Sequence, residues 1–379
     1  MAAIFTPGLK VSERDVVVKY RQLPLEGEVC VKVGDSVTAN QIVARTELPG
    51  KIFPVNVANQ LGIDAARLKE FLNKKVGDSV EIDEVIAETP GLWGFFKSDA
   101  KAVVSGTIES ISTITGQVIF QAHPIPVEID AYIDGRVVEV IADEGCVVQA
   151  EATFVQGIFG LGGETKGVIA MAAEKPDQAL RAADIRAEHA GKIVIGGGYL
   201  TLEALQAAID VGAAAVVSGG FDYDEIKNLL GYEVGVAITG GEQLGLTLIV
   251  TEGFGDIQMA PATFALLKSK VGQPASVNGA TQIRAGVMRP EVLVTFDTDN
   301  SGERYTPPEP VGIGIGDPVR GIRAPYFGKL GKVKSLPIEP AVLESESKAR
   351  VMEIEFEGDG VHPGEVVILP RANVEAIKG

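Results

Sequence analysis

Apolar positions along this chain follow two rhythms. Up to residue 152 they come in short alternating stretches divided by glycine- and aspartate-bearing turns. The alternation predicts strands over 28–33, 41–45, 81–88, 101–104, 107–112, 117–121 and 135–141, each with one buried face. Where Gly and Asp stand together, the glycine supplies positive φ and the aspartate can bond its own turn. One helix interrupts, over 63–72, with Asp64 placed to cap it. From 168 to 295 the rhythm changes. Continuous apolar runs at 192–195, 214–217, 234–239 and 246–251 alternate with helical periods over 177–189, 201–211, 222–230 and 260–270. In the second of these helices Leu202, Leu205, Ala208 and Ile209 share a face and Thr201 stands at the cap; Gly231 closes the third. Buried strands alternating with helices predict a parallel α/β sheet.

The fold class expected is therefore multidomain, α/β plus all-β. Residues 1–152 form the β region and 168–295 the α/β domain. Between them, 153–167 carry Gly157, Gly160, Gly162, Gly163 and Gly167 and read as a hinge or bridge. Residues 296–310 form a polar, Pro-rich linker, and 311–379 return to alternating strands.

One phrase occurs twice. Val33-Gly34-Asp35-Ser36-Val37 recurs 43 residues later as Val76-Gly77-Asp78-Ser79-Val80, and each copy leads to an apolar stretch ending in Ala44 or Ala87. Such a repeat marks one supersecondary unit used more than once. With Val104-Ser105-Gly106-Thr107-Ile108 and Ile133-Asp134-Gly135-Arg136-Val137 as return strands, residues 25–150 resemble the biotinyl/lipoyl-type barrel-sandwich hybrid. In that family a carrier lysine sits on the tip hairpin, which here makes Lys97 and Lys101 the candidates. The methionines that flank a biotin lysine are absent, and the lipoyl order appears only scrambled, as Ser98-Asp99-Ala100-Lys101-Ala102. Neither biotin nor lipoate is expected on either lysine. Trp93, Phe95 and Phe96 crowd the same loop, as core or as an exposed docking tip.

The C-terminal residues Val319-Arg320-Gly321, Pro325-Tyr326-Phe327-Gly328 and Gly331, followed by strands at 348–356 and 365–369, resemble a KOW-type SH3-like barrel. KOW domains bind RNA or protein. Arg320, Arg323, Lys329, Lys332 and Lys334 flank Tyr326 and Phe327, a mixture suited to RNA or an acidic partner surface. A solvated β face is the plainer account of the same residues. Taken whole, the chain resembles a bacterial family that joins sandwich-hybrid modules, an α/β domain and a KOW-like barrel. That resemblance implies architecture rather than activity.

The α/β domain offers the candidate ligand site. Three predicted strands end in glycines: Gly196-Gly197-Gly198, Gly219-Gly220 and Gly240-Gly241. Ligands of open parallel sheets bind beyond the carboxyl ends of strands, where free N–H groups suit phosphate or another small anion. Asp222, Asp224, Glu242 and Glu252 are the acid/base candidates beside them. The same glycines also serve sharp turns and close packing. Neither a dinucleotide fingerprint nor a P-loop fits the spacing, and no Ser-His-Asp set suggests itself.

Composition narrows the rest. The chain has 379 residues and a net charge of −17, which repels polyanions except at a local basic patch. Two cysteines, Cys30 and Cys146, lack metal-ligand or disulfide spacing and read as buried thiols. Three scattered histidines argue against a histidine metal site, and no metal is expected. There is neither a basic-then-apolar start nor an apolar run long enough to span a bilayer, so a cytoplasmic protein without membrane insertion is expected. Exposed edges of repeated β modules need covering, which favours a homo-oligomer with a possible protein partner. The leading expectation is a non-catalytic, self-assembling scaffold or adaptor. The alternatives are an enzyme or ligand-responsive regulator using the glycine-rich strand ends, and a ribosome- or transcription-associated factor acting through the basic loop.

Overall fold

The computed structural model describes residues 9–90, 97–231, 240–242, 244–281, 288–296, 313–321, 326, 329–337, 341–342, 348–356 and 366–376. Strands account for 48% and helices for 15% of it, so sheets carry the packing. Several sheets form, and no barrel closes among the described residues. None of the described helices is long and apolar enough to cross a membrane.

The repeated phrase builds the same turn twice. Gly34 and Gly77 take φ of +96° and +89°, which a side chain would resist. Asp35 accepts from Lys32 N at 2.8 Å and Asp78 from Lys75 N at 2.9 Å. Each turn then leans on a return strand: Gly34 N donates to Val137 O and Gly77 N to Ile108 O, both at 2.8 Å. Ser36–Val37 pairs with Gly135–Arg136, and Ser79–Val80 with Gly106–Thr107. Ala39 N donates to Asp134 Oδ1 just as Ile82 N donates to Ser105 Oγ. Ala131 N reaches Gln41 O as Ala102 N reaches Glu84 O, each at 2.9 Å.

These equivalences show that the copies are nested. The first module pairs Ile42–Leu48 with Ile125–Asp130. The second pairs Val85–Glu88 with Asp99–Lys101. Leu48 lies opposite Ile125, and the whole second module lies between them in sequence. It stands where the first module's hairpin would have a tip. Each module has its own core: Val37, Val43, Ala131 and Val137 in the first, Val80, Ile86, Ala102 and Ile108 at the matching places in the second.

The first module is continuous with an eleven-stranded central sheet. Gly145–Gln156 is the strand that joins them. One edge pairs along its length with Val11–Gln22; the other pairs first with Gly135–Ile141 and then with Glu291–Thr295. Hydrogen bonds of one ladder therefore connect residues on both sides of position 152. The glycine-rich stretch 153–167, expected as a hinge, is mostly strand. It holds the end of Gly145–Gln156, all of Phe159–Leu161 and the start of Glu164–Met171. Its glycines let backbones close up: a Cβ on Gly160 would run into Gly279 and Pro290.

The α/β part is mixed rather than purely parallel. Glu164–Met171, Lys192–Ile195, Ala215–Phe221 and Thr247–Phe254 are parallel neighbours, while Phe159–Leu161, Pro274–Asn278 and Glu291–Thr295 pair antiparallel. Side chains alternate between the sheet's faces. Val194, Val216, Leu248 and Val250 meet the helix Leu202–Val211 on one face. Ile193, Ile195, Val217 and Ile249 meet Phe264 and Leu267 of Pro261–Ser269 on the other. Thr201, Asp222 and Gly231 cap as their residue types predict. The helix expected over 177–189 is instead two single 3₁₀ turns, Ala182–Asp184 and Ala187–His189. Asp64 does cap, but it caps a 3₁₀ turn that runs into a four-residue helix, Leu68–Phe71. The strand expected over 234–239 lies outside the described residues.

Of the two thiols expected in the core, Cys146 is buried and Cys30 is exposed. Beyond the central sheet, a five-stranded antiparallel sheet runs in the order Val366–Pro370, Val351–Phe356, Leu330–Ser335, Pro318–Gly321, Val374–Ala376. Gly331 lies so close to Ile354 and Glu355 that a side chain would not fit. Tyr326 stacks on Phe356 with centroids 5.0 Å apart.

Candidate functional site

The glycine-rich strand ends pack against backbone. Gly219 and Gly220 lie inside the strand Ala215–Phe221 rather than beyond it. Substituted with a side chain, Gly197 would meet the carbonyls of Lys175 and Gln178, Gly198 that of Asp177, Gly219 the Ile257–Met259 backbone, and Gly220 the carbonyl of Gly255. The N–H groups that an anion would use are engaged: Gly198 N donates to Gln178 O at 2.8 Å, Gly219 N to Gly197 O at 3.0 Å and Gly220 N to Gly198 O at 3.2 Å. Gly240 N donates to Glu242 Oε2 at 2.7 Å, and Gly162 N shares that oxygen at 3.2 Å. Gly241 is exposed, with nothing packed where its side chain would be.

The acid/base candidates have similar duties. Asp222 caps its helix by accepting from Asp224 N at 2.7 Å, while Asp224 itself is exposed. Glu252 is buried; one oxygen accepts from Ala260 N at 3.0 Å and the other forms an ion pair with Arg320. Glu252 and Arg320 were candidates for two different sites. The fold brings them together as a buried bridge between the central and C-terminal sheets. Neither sequence position hints at this, because the pair spans 68 residues.

A cluster that no sequence motif marks occupies the carboxyl end of the parallel strands. Tyr199 OH donates to Glu225 Oε2 at 3.3 Å. Burial, then the charges of Asp222 and Glu203, hold the Glu225 carboxyl above its usual range. Burial, then Glu225 and Asp222, raise the Tyr199 phenol. Among the described residues no three His, Cys, Asp or Glu side chains converge as a metal ion would require.

On the C-terminal sheet the basic residues divide. Arg320 is buried, whereas Lys332 and Lys334 are exposed on one strand face, and Lys334 pairs with Glu355. Lys329 sits 5.9 Å from the Tyr326 ring. Arg323 and Phe327 lie outside the described residues, as do Trp93, Phe95 and Phe96. Lys97 and Lys101 are both exposed; Lys101 ends the strand Asp99–Lys101, opposite Val85.

The structure also forms an open polar cleft of about 390 Å³, lined by Tyr20–Gln22, Glu128–Asp130, Glu164 and Lys166. Arg21 forks onto Glu164 at 2.7 and 2.8 Å and donates to the Asp130 carbonyl at 2.7 Å; Lys166 pairs with the Asp130 carboxylate. Burial alone would lower the Arg21 pKa, but Glu164 and Asp130 hold it above its ordinary value. Behind the cleft Tyr132 is fully buried with φ of +66°, unusual for a bulky residue. Its hydroxyl donates to Glu291 at 3.2 Å, its carbonyl accepts from Ser276, and Arg21 lies 5.4 Å from its ring. Burial first, then Glu291 and Glu164, push the phenol well above 10.0. No sequence motif marks this site, because its residues come from five separated strands and a corner.

Compared with models of known families and with curated proteins, the chain matches none.

Proposed function

We propose that this chain is a non-catalytic scaffold or adaptor that assembles as a homo-oligomer and docks partners through its β modules. The observation that supports this reading is the use made of its ionisable groups. Glu252, Asp222 and Glu242 bind Arg320, a helix terminus and two glycine amides, so the residues best suited to acid/base work hold elements together. In the same reading the nested modules are barrel-sandwich hybrids without a prosthetic group. The C-terminal sheet is a KOW-type SH3-like domain whose Arg320 serves the fold.

Native mass spectrometry of the protein from its own host, beside a denaturing mass, tests the proposal. A clean multiple of the chain mass, with Lys97 and Lys101 unmodified, is the expected result. A monomer at all concentrations carrying a retained small molecule would contradict it.

The Tyr199–Glu225 cluster favours a second reading, a ligand-responsive α/β domain. A ligand there would stabilise the fold by about 2.7 kcal/mol at a hundredfold excess over its Kd. A thermal-shift screen of phosphorylated metabolites that stayed flat would remove that reading.

A further inference from the structure

We propose that the cleft beside Tyr20–Gln22 docks an extended, basic peptide segment of a partner protein, which adds as a strand to the open edge of Val11–Gln22. This names the partner class within the adaptor reading and rests on it.

The first support is the free edge. Val11–Gln22 is twelve residues long, and among the described residues it pairs with Gly145–Gln156 alone. Two bonds fix the direction of its amides. Leu23 N donates to Glu144 O, on the side of the paired strand. Val16 N donates to the Asp15 carboxylate at 2.9 Å. Alternate residues of a strand present their N–H and C=O to the same edge. The amides of Val18, Tyr20 and Gln22 therefore share the open edge with Val16, while those of Val17, Lys19 and Arg21 face the ladder. Long free edges are normally blunted. This one carries exposed Val18 and Tyr20, the latter 66% accessible.

The second support is the cleft at the end of that edge. Its other walls belong to strands with free edges of their own. Among the described residues, Ile125–Asp130 pairs with Ile42–Leu48 on one side only, and Lys192–Ile195 reaches Glu164–Met171 no further than Val168. A peptide running along Val18–Gln22 would enter a slot bordered by strand backbone.

Charge selects the peptide. Three carboxylates, Glu128, Asp130 and Glu164, line the cleft against two cations, Arg21 and Lys166; these two cations engage Asp130 and Glu164, while Glu128 lies exposed across the ladder from Arg45. One negative charge is left in excess in the lining, and the chain's charge of −17 extends the attraction to a basic partner. In strand addition the main chain supplies affinity while alternate side chains supply specificity. The matching peptide alternates apolar residues with lysine or arginine.

The test is selection of a displayed random dodecapeptide library on the full chain, and then affinity measurements on variants. Enriched peptides should be basic and alternating. Glu128→Lys, at an exposed position, should weaken their binding about tenfold or more. Tyr20→Pro removes an open-edge N–H without touching the ladder and should abolish binding, whereas Tyr20→Phe should retain it. If Tyr20→Pro fails to fold, judged by its melting curve, Glu128→Lys alone decides. No enrichment, acidic or neutral peptides, or binding indifferent to Glu128→Lys would overturn the proposal. Oligomeric state, read separately by native mass spectrometry, would show whether the adaptor reading fails with it.

Discussion

The two modules share a turn, a return strand and a set of backbone bonds, but one position separates their roles. Tyr132 in the first module corresponds to Val103 in the second. Val103 is 44% exposed. Tyr132 is wholly buried, takes left-handed backbone, and is tied to Glu291 and Ser276 of the central sheet beneath Arg21 and Lys19. The strand after it, Gly135–Ile141, pairs with Gly145–Gln156 and through it joins the large sheet. The corresponding strand in the second module, Gly106–Ile111, stays within a four-stranded sheet of its own. A single scaffold can thus be a foundation in one copy and a projecting unit in the other. The difference lies in what one corner residue grips.

The largest test of that contrast is a matched pair of truncations. Tyr132→Ala should cost about 3–5 kcal/mol of global stability, as for other buried aromatics. Val103→Ala should stay within about 0.5 kcal/mol, as exposed substitutions do. Urea unfolding of both variants checks this; equal losses would erase the distinction.

Smaller effects should come from the shared turn. Asp35→Ala and Asp78→Ala each remove one bond to a backbone amide. Each should cost about 0.5–1.5 kcal/mol. The location of the loss should differ. Hydrogen exchange in Asp78→Ala should accelerate in the second module alone, whereas Asp35→Ala should also loosen Gly145–Gln156.

The finest test uses pH. The Tyr132 phenol is raised above its ordinary value in the folded chain. Its contribution is therefore complete below the unfolded value of 10.0 and is lost as pH rises above it, because the unfolded chain ionises first. Wild-type stability should fall above that pH more steeply than that of Tyr132→Phe. Parallel curves for the two proteins would show that the phenol is not coupled to folding.

Sequence made some of this legible. The repeated phrase announces two copies, because the turn needs glycine and aspartate by chemistry. The nesting is not legible. The return strands are recognisable by Gly106 and Gly135 and the apolar positions around them, but which turn each one serves is not, since the bonds that join turn to return strand are backbone bonds indifferent to side chain. The edge strand Val11–Gln22 escapes for a different reason. Its inward positions include Asp15, Lys19 and Arg21, neutralised by Lys10, Glu291 and Glu164, while Val18 and Tyr20 face outward. That reverses the polarity by which strands are recognised. The glycine-rich strand ends were legible as positions that need glycine, but sequence cannot say whether ligand or backbone fills the space. Glu252 and Arg320 read as separate candidates because ion pairing across sheets leaves no local pattern.

The nested arrangement can be tested by excision. Replacing residues 49–124 with an Asn-Gly turn would join Leu48 to Ile125, which already face each other across a ladder. The thermal midpoint of the shortened chain should move by less than about 2 °C, roughly 1 kcal/mol for a body of this size. A chain that failed to fold, or melted far below the main transition of the full protein, would show that the second module is part of the foundation rather than an insertion upon it.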